Sequence, residues 1–185
     1  MNENHDFCGS DVWRAMVREQ IIPWALGARV LGDDLLEVGP GFGATTDVFR
    51  EQVGRLTAVE IDPVLAGRLA DRLAGTNVTV IEGDATDLPF EDDRFSGATC
   101  FSMLHHVPGV ELQDRLFAEV ARVLQPGAAF VATDSLHNDD LAEFHDGDTY
   151  EPIDPTTLVE RLEGAGFSSV DVEVNDYGWA ARAFA

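Results

Sequence analysis

The sequence predicts an α/β fold, a doubly wound and mostly parallel sheet with helices on both faces. Three observations carry this. Short apolar runs alternate with stretches whose apolar residues recur at helical spacing, the pattern of strands joined by crossover helices. The runs are apolar almost throughout rather than at every second residue, as strands buried on both faces require. The chain of 185 residues, 45% of them hydrophobic, matches one domain of about 100–200 residues with a sizeable core.

Residues 1–32 stand apart as an N-terminal helical cap or edge segment, and 33–185 form the core. Val12, Met16, Val17 and Ile21 suggest a helix stopped by Pro23, with a second short helix over 24–30. The first strand, 33–38, runs into the cluster Gly39-Pro40-Gly41-Phe42-Gly43, and a helix starts near 44–46. A second strand, 56–62, is stopped by Pro63. Val64, Leu65, Leu69 and Leu73 then repeat at helical spacing before the turn residues Gly75 and Asn77. The third strand is 78–81. The fourth, 97–102, follows an acidic loop at 91–93. Leu112, Leu116, Val120 and Val123, with Arg115, Glu119 and Arg122 between them, mark an amphipathic helix closed by 125–127. A fifth strand, 128–133, precedes a helix over 155–166 ending at Gly166. The runs 169–174 and 179–184 flank a turn at 175–178 and predict an antiparallel hairpin.

Charge narrows the function classes. The 34 acidic residues face only 12 basic ones, all arginine, for a net charge of -22. A basic face that displaces counterions from phosphate is missing, so nucleic acid and anionic membrane surfaces are excluded as expected partners. No window offers the roughly 18 uncharged apolar residues of a membrane span, and the acidic start lacks the features of a signal peptide. The expectation is a cytoplasmic protein. Cys8 and Cys100 lack metal-ligand spacing and read as ordinary reduced thiols.

In open α/β sheets ligands bind beyond the C-terminal ends of the strands. There the glycine cluster permits close approach of a ligand to the backbone, and the first three strands end near Glu37, Glu60 and Asp84. A dinucleotide would bring a pyrophosphate to a loop without arginine. A cation with ribose hydroxyls and no phosphate suits these carboxylates better.

At this point the sequence is similar to the class I S-adenosylmethionine-dependent methyltransferases, in particular the type 11 group. The resemblance rests on Leu36-Glu37-Val38-Gly39-Pro40-Gly41-Phe42-Gly43, Val59-Glu60-Ile61-Asp62-Pro63, Gly83-Asp84-Ala85, Leu88-Pro89-Phe90, Phe101-Ser102-Met103-Leu104-His105-His106-Val107 and Leu124-Gln125-Pro126-Gly127, in that order. It implies a Rossmann-like sheet of seven strands in the order 3-2-1-4-5-7-6, strand 7 antiparallel. It implies S-adenosyl-L-methionine as donor and S-adenosyl-L-homocysteine as product. Glu37, Gly39, Gly41 and Gly43 would hold the methionine end, Glu60 the ribose hydroxyls, and Asp84 the adenine amino group. The Ala85 amide would meet the adenine ring, with Ile61 and Leu88 as apolar walls. Ser102 would lie near the methionine moiety, and residues 103–106 would face the acceptor.

Methyl transfer from a sulfonium asks the protein mainly to align the nucleophile, exclude water and accept a proton where needed. His106, and after it His105, are the candidate bases. The nearly minimal core points to a small-molecule acceptor. Residues 134–154 hold eight acids and no arginine, and read as a solvated, mobile loop. No metal is expected, although Asp134, Asp139, Asp140 and His145 are the residues such a site would use. Tyr150, Trp13 and Trp24 could line an acceptor pocket, with apolar packing the expected role of the tryptophans. A non-catalytic binder of the same cofactor and a nicotinamide-dependent oxidoreductase are the alternatives. The sequence leaves the oligomeric state open.

Overall fold

The apolar runs become strands β1 (Asp34–Val38), β2 (Arg55–Glu60), β3 (Val78–Glu82), β4 (Phe95–Phe101), β5 (Leu124–Ser135), β6 (Ser168–Val174) and β7 (Gly178–Phe184). The structure, a computed structural model, describes residues 3–185. The seven strands form one sheet in the order β3-β2-β1-β4-β5-β7-β6. All pairings among β1 to β5 are parallel, and β7 lies antiparallel to both β5 and β6. The fold class and strand order expected from the sequence are those observed. Strand order reverses beside β1, whose neighbours are β2 and β4, and this creates the crevice in which such sheets bind ligands.

Side-chain alternation splits the core into two layers. Leu36, Phe130 and Ala132 point to the layer containing Leu116 and Phe117 from α5 (Val110–Val123) and Leu158 and Leu162 from α7 (Leu158–Gly164). Leu35, Ala129 and Val131 face the other layer, with Val48 and Phe49 of α3 (Thr46–Phe49). Between β2 and β3, α4 (Pro63–Arg72) starts at Asp62, whose Oδ1 accepts from the amides of Val64 and Leu65 at 2.8 and 3.0 Å. Pro63 follows this cap at the first helical position, where a missing N–H costs nothing.

The N-terminal segment corrects one expectation. Pro23 does not stop the helix: α1 (Asp11–Met16) passes through a π-helical stretch, Val17–Ile21, into α2 (Ile22–Leu26) with Pro23 in its first turn. The wider turn shifts the hydrogen-bond register just before the residue that cannot donate, so the chain stays helical. The second element ends at Leu26 rather than continuing to residue 30, because Gly27 adopts a φ of 55°. Val17, Ile22 and Ala25 pack on the sheet with Leu35 and Ala180. Arg182 of β7 fastens the segment: its Nε donates to the Ala25 carbonyl and its Nη2 to that of Trp24, both at 2.7 Å.

A second correction concerns residues 134–154. They are not simply a solvated loop. They contain α6 (Asp139–Phe144), capped by the Asn138 side chain on the Leu141 amide, and they bury Asp134, His145 and Ile153. Exposed acids carry the negative charge on the outside while apolar and imidazole groups turn inward.

Candidate functional site

A cavity of about 670 Å³ lies beyond the C-terminal ends of the parallel strands and under the N-terminal segment. The loop after β1 forms one wall. Gly39 has φ 65°, and a Cβ there would stand 2.7 Å from the Met103 side chain, so glycine is required for the loop to turn against the β4 loop. Gly39 and Gly41 line the cavity. Gly43 sits behind them, where a Cβ would stand 2.6 Å from Leu69 of α4.

Glu60 ends β2 and is nearly buried. Its Oε2 accepts from the Gly41 amide at 2.9 Å and its Oε1 from the Asp62 amide at 3.0 Å, which fixes the carboxylate against the glycine loop. Ile61, 66% exposed, stands beside it on the cavity wall. Asp84 follows β3, where its Oδ1 accepts from the amide and hydroxyl of Thr86, each at 2.8 Å. Asp84, Ala85 and Ser102 all line the cavity. Ser102 has φ 51° and donates its amide to the Thr133 carbonyl at 2.8 Å, a left-handed turn that ends β4 at the site.

Besides Gly43, other expected residues lie outside the lining, among them Leu104, which is buried in the core. Leu88 is buried in the core rather than on the cavity wall. Glu37 lies beneath the glycine loop and outside the lining, where its Oε1 accepts from the Thr45 hydroxyl. Burial pushes its carboxyl up to about 7. The hydroxyls of Thr45 and Thr46 act in the opposite direction, and the nearby charges of Asp47 and Glu60 add to the rise. Its other oxygen is buried without a hydrogen-bond partner among the described residues.

The far end of the cavity is lined by histidines. His105 is buried; its Nδ1 lies 2.7 Å from Asp134 Oδ1, and its amide donates to Asp134 Oδ2 at 3.1 Å. A carboxylate accepts, so Nδ1 carries a hydrogen, and in the neutral ring Nε2 then holds the lone pair. His106 packs on this ring with centroids 4.2 Å apart, and its Nδ1 lies 3.2 Å from the Thr149 carbonyl. Burial, then the neighbouring His105, His5 and His145, push His106 down to about 3. Its ring is therefore neutral and a weak proton acceptor. His145, the residue after α6, joins both rings, and His5 enters from the N-terminal 3-10 helix Glu3–Gly9. Tyr150 stacks on His145 and touches His137. Hence all five histidines of the chain are connected through this cluster.

Sequence reasoning identified His105 and His106 but not the convergence, because His5 and His145 arrive from distant segments. Trp13 lines the cavity, whereas Trp24 donates its indole N–H to Glu173 at 2.8 Å on the opposite flank. Among the described residues no arginine lines the cavity, although Glu60, Asp62, Asp84 and Asp148 do. This suits a cationic ligand and disfavours the pyrophosphate of a nicotinamide dinucleotide.

Comparison with known proteins agrees with this geometry. The family described as "Methyltransferase domain" matches residues 36–132. The probable ribosomal RNA small subunit methyltransferase A of Methanothermobacter thermautotrophicus is 47% identical over 60 residues, 32% of this chain and 22% of the relative. The chain thus spans under a quarter of that protein's length. Among solved structures, a chain of the complex between the Haloferax volcanii Trm112 methyltransferase activator and a methyltransferase superposes with a TM-score of 0.75 at 15% identity, covering 100% of this chain and 98% of that one. A SAM-dependent methyltransferase from Aquifex aeolicus gives 0.69 at 19% identity, covering 91% and 92%.

The ribosomal RNA relatives correct the expected partners. The exclusion of nucleic acid in favour of a small-molecule acceptor does not stand when similar chains are named for ribosomal RNA. Net charge averages over a whole surface and does not report the field at one mouth. No helix among the described residues is long and apolar enough to cross a membrane.

S-adenosylmethionine fits the residues present: the glycine loop leaves room against its backbone, and two carboxylates, Glu60 and Asp84, face the cavity where they can accept from hydroxyl and amino donors. With the family match over more than half its length, the chain belongs to the type 11 methyltransferase domain family, a family of class I S-adenosylmethionine-dependent methyltransferases.

Proposed function

We propose that the chain, acting as one domain in the cytoplasm, methylates an acceptor that enters at the histidine-lined end of the cavity. The observation that supports this most is the division of one cavity into two chemistries. Glu60 and Asp84 stand with the glycine loop at one end, and His105 and His106 at the other. When bound, the cofactor would supply a methyl group activated by its sulfonium, whose sulfur would serve as the leaving group.

The chain's own residues do the rest. Glu60, held by the Gly41 and Asp62 amides, accepts from the ribose hydroxyls. Asp84 takes the adenine amino group, beside Ala85 and Ile61. Gly39, Gly41 and Ser102 bring backbone close to the methionine end, while Gly43 and Glu37 support that loop from below. His105 is the better placed of the two bases, since Asp134 fixes its ring and leaves Nε2 to take the acceptor's proton. His5, Phe7 and Trp13 cover the cavity from the N-terminal side and exclude water.

Two acceptor classes suit the histidine end. The relatives' names support ribosomal RNA, and a histidine end closed over by His5, Phe144 and His145 supports a free small molecule. Calorimetric titration with S-adenosylmethionine, S-adenosylhomocysteine and NAD tests the cofactor half, with micromolar binding of the first two and none of NAD expected. Transfer of labelled methyl to small ribosomal subunits, against a small-molecule fraction, then separates the acceptors. Binding of NAD alone would overturn the reading.

A further inference from the structure

We propose that His5, His106 and His145 form a site for one divalent transition-metal ion at the acceptor end of the cavity. Ring nitrogens of the three lie within 4.8 Å of one another, and all three residues line the cavity. They come from three separate segments: the N-terminal 3-10 helix, the turn after β4 and the end of α6.

Hydrogen bonding prepares these rings as ligands. The Leu141 carbonyl lies 2.7 Å from His145 Nδ1 and the Thr149 carbonyl 3.2 Å from His106 Nδ1. A carbonyl only accepts, so each Nδ1 carries the hydrogen and each Nε2 keeps a lone pair. The Asp148 carboxylate stands 3.5 Å from His5 Nδ1 and acts on that ring in the same sense. An outer acceptor on the second nitrogen is how metal-binding imidazoles are held in tautomer and orientation. His105, held by Asp134, forms the wall behind them.

The donor set selects the ion. Three imidazoles without thiolate suit zinc, cobalt, nickel or iron, and not the oxygen-seeking magnesium or calcium. Zinc–nitrogen bonds of about 2.0–2.1 Å place tetrahedral ligands roughly 3.3 Å apart, so the rings close inward by about an ångström on binding. Three protein ligands leave a coordination position open towards the cavity. Asp139 and Asp140, the acids the sequence offered for such a site, belong to the exposed start of α6 and take no part. Occupation of the site would hold an acceptor oxygen, nitrogen or sulfur beside His105. That role rests on the methyltransferase reading, whereas the binding does not.

The test uses the full chain without an affinity tag, stripped by chelator and titrated with Zn²⁺ by calorimetry and with Co²⁺ by its visible ligand-field bands. One ion per chain is expected. Affinity should fall at least about 100-fold in each of His5→Phe, His106→Ala and His145→Ala, while His137→Ala keeps it. Thermal melting of each variant separates lost ligation from lost folding, and His5→Phe retains a ring in the packed position. Absence of stoichiometric binding, or binding unchanged in folded variants of the three ligands, would overturn the site. S-adenosylmethionine titrated into the stripped and loaded proteins keeps the two readings apart: metal without cofactor binding sinks the donor assignment alone, and the reverse sinks the metal site alone.

Discussion

Asp134 holds His105 from two directions, one carboxylate oxygen on the ring and the other on the backbone amide. The side chain and the peptide to which it belongs are fixed by a single group at the end of β5. The ring's freedom to rotate is removed before any acceptor arrives. With His105 as base, His105→Gln lowers kcat about 100-fold or more while the KM for S-adenosylmethionine moves little. Asp134→Asn keeps the shape but turns an amide to the ring, so it loses kcat in the same direction. Steady-state kinetics with both variants checks this split, and an unchanged kcat removes His105 from the chemistry.

Glu60→Ala takes away the two hydroxyl contacts proposed for the ribose and also frees the amides of Gly41 and Asp62. The expected loss of cofactor affinity is about 1.5–3 kcal/mol, a Kd raised roughly 10- to 150-fold. Calorimetry measures it directly, and wild-type affinity would move the ribose elsewhere.

Glu37 gives stability a specific pH dependence. Its carboxyl rises from 4.5 to about 7 on folding, so between these values the folded chain holds a proton that the unfolded chain has lost. This contribution therefore lowers stability as pH rises through that window, and the penalty is complete above it. Glu37→Gln removes the ionisation and keeps an oxygen for the Thr45 hydroxyl. Near pH 8 the variant without cofactor should gain on the order of 3 kcal/mol over wild type, with the difference vanishing below about pH 4.5. Urea unfolding at a series of pH values reads this, and parallel curves for the two proteins would count against it.

Arg182→Met cuts the hydrogen bonds from β7 to the carbonyls of Trp24 and Ala25. Methionine fills much of the space but satisfies neither carbonyl. A loss of about 2–3 kcal/mol is expected, with faster proteolytic cutting within the N-terminal segment than in the sheet. Equal cutting rates in both proteins would show that packing alone holds the segment.

Much of this molecule was legible in its sequence because the inner parallel strands β1, β2, β4 and β5 are buried on both faces. Runs buried at every residue, such as Leu35 to Val38 and Ala129 to Thr133, admit few other placements. The carboxylates at strand ends were legible for the same reason, since topology carries each to one crevice. Pro23 misled because local stereochemistry was weighed without the π-helical stretch that accommodates it. Residues 134–154 misled because their composition reports the outer surface, while His145 and Ile153 respond to what lies beneath. Glu37 carries the family motif yet sits below the loop rather than on the cavity wall. No local pattern foretold that His5 would meet His145, a contact made only by tertiary folding.

The bond between Arg182 and Ala25 spans 157 residues, which bears on the order in which the protein is made. During synthesis from the N-terminus, Val17, Ile22 and Ala25 emerge long before β7 exists to receive them. The covering of the cavity is thus made well before the strand that fastens it, and part of its apolar face stays open to other surfaces until β7 follows.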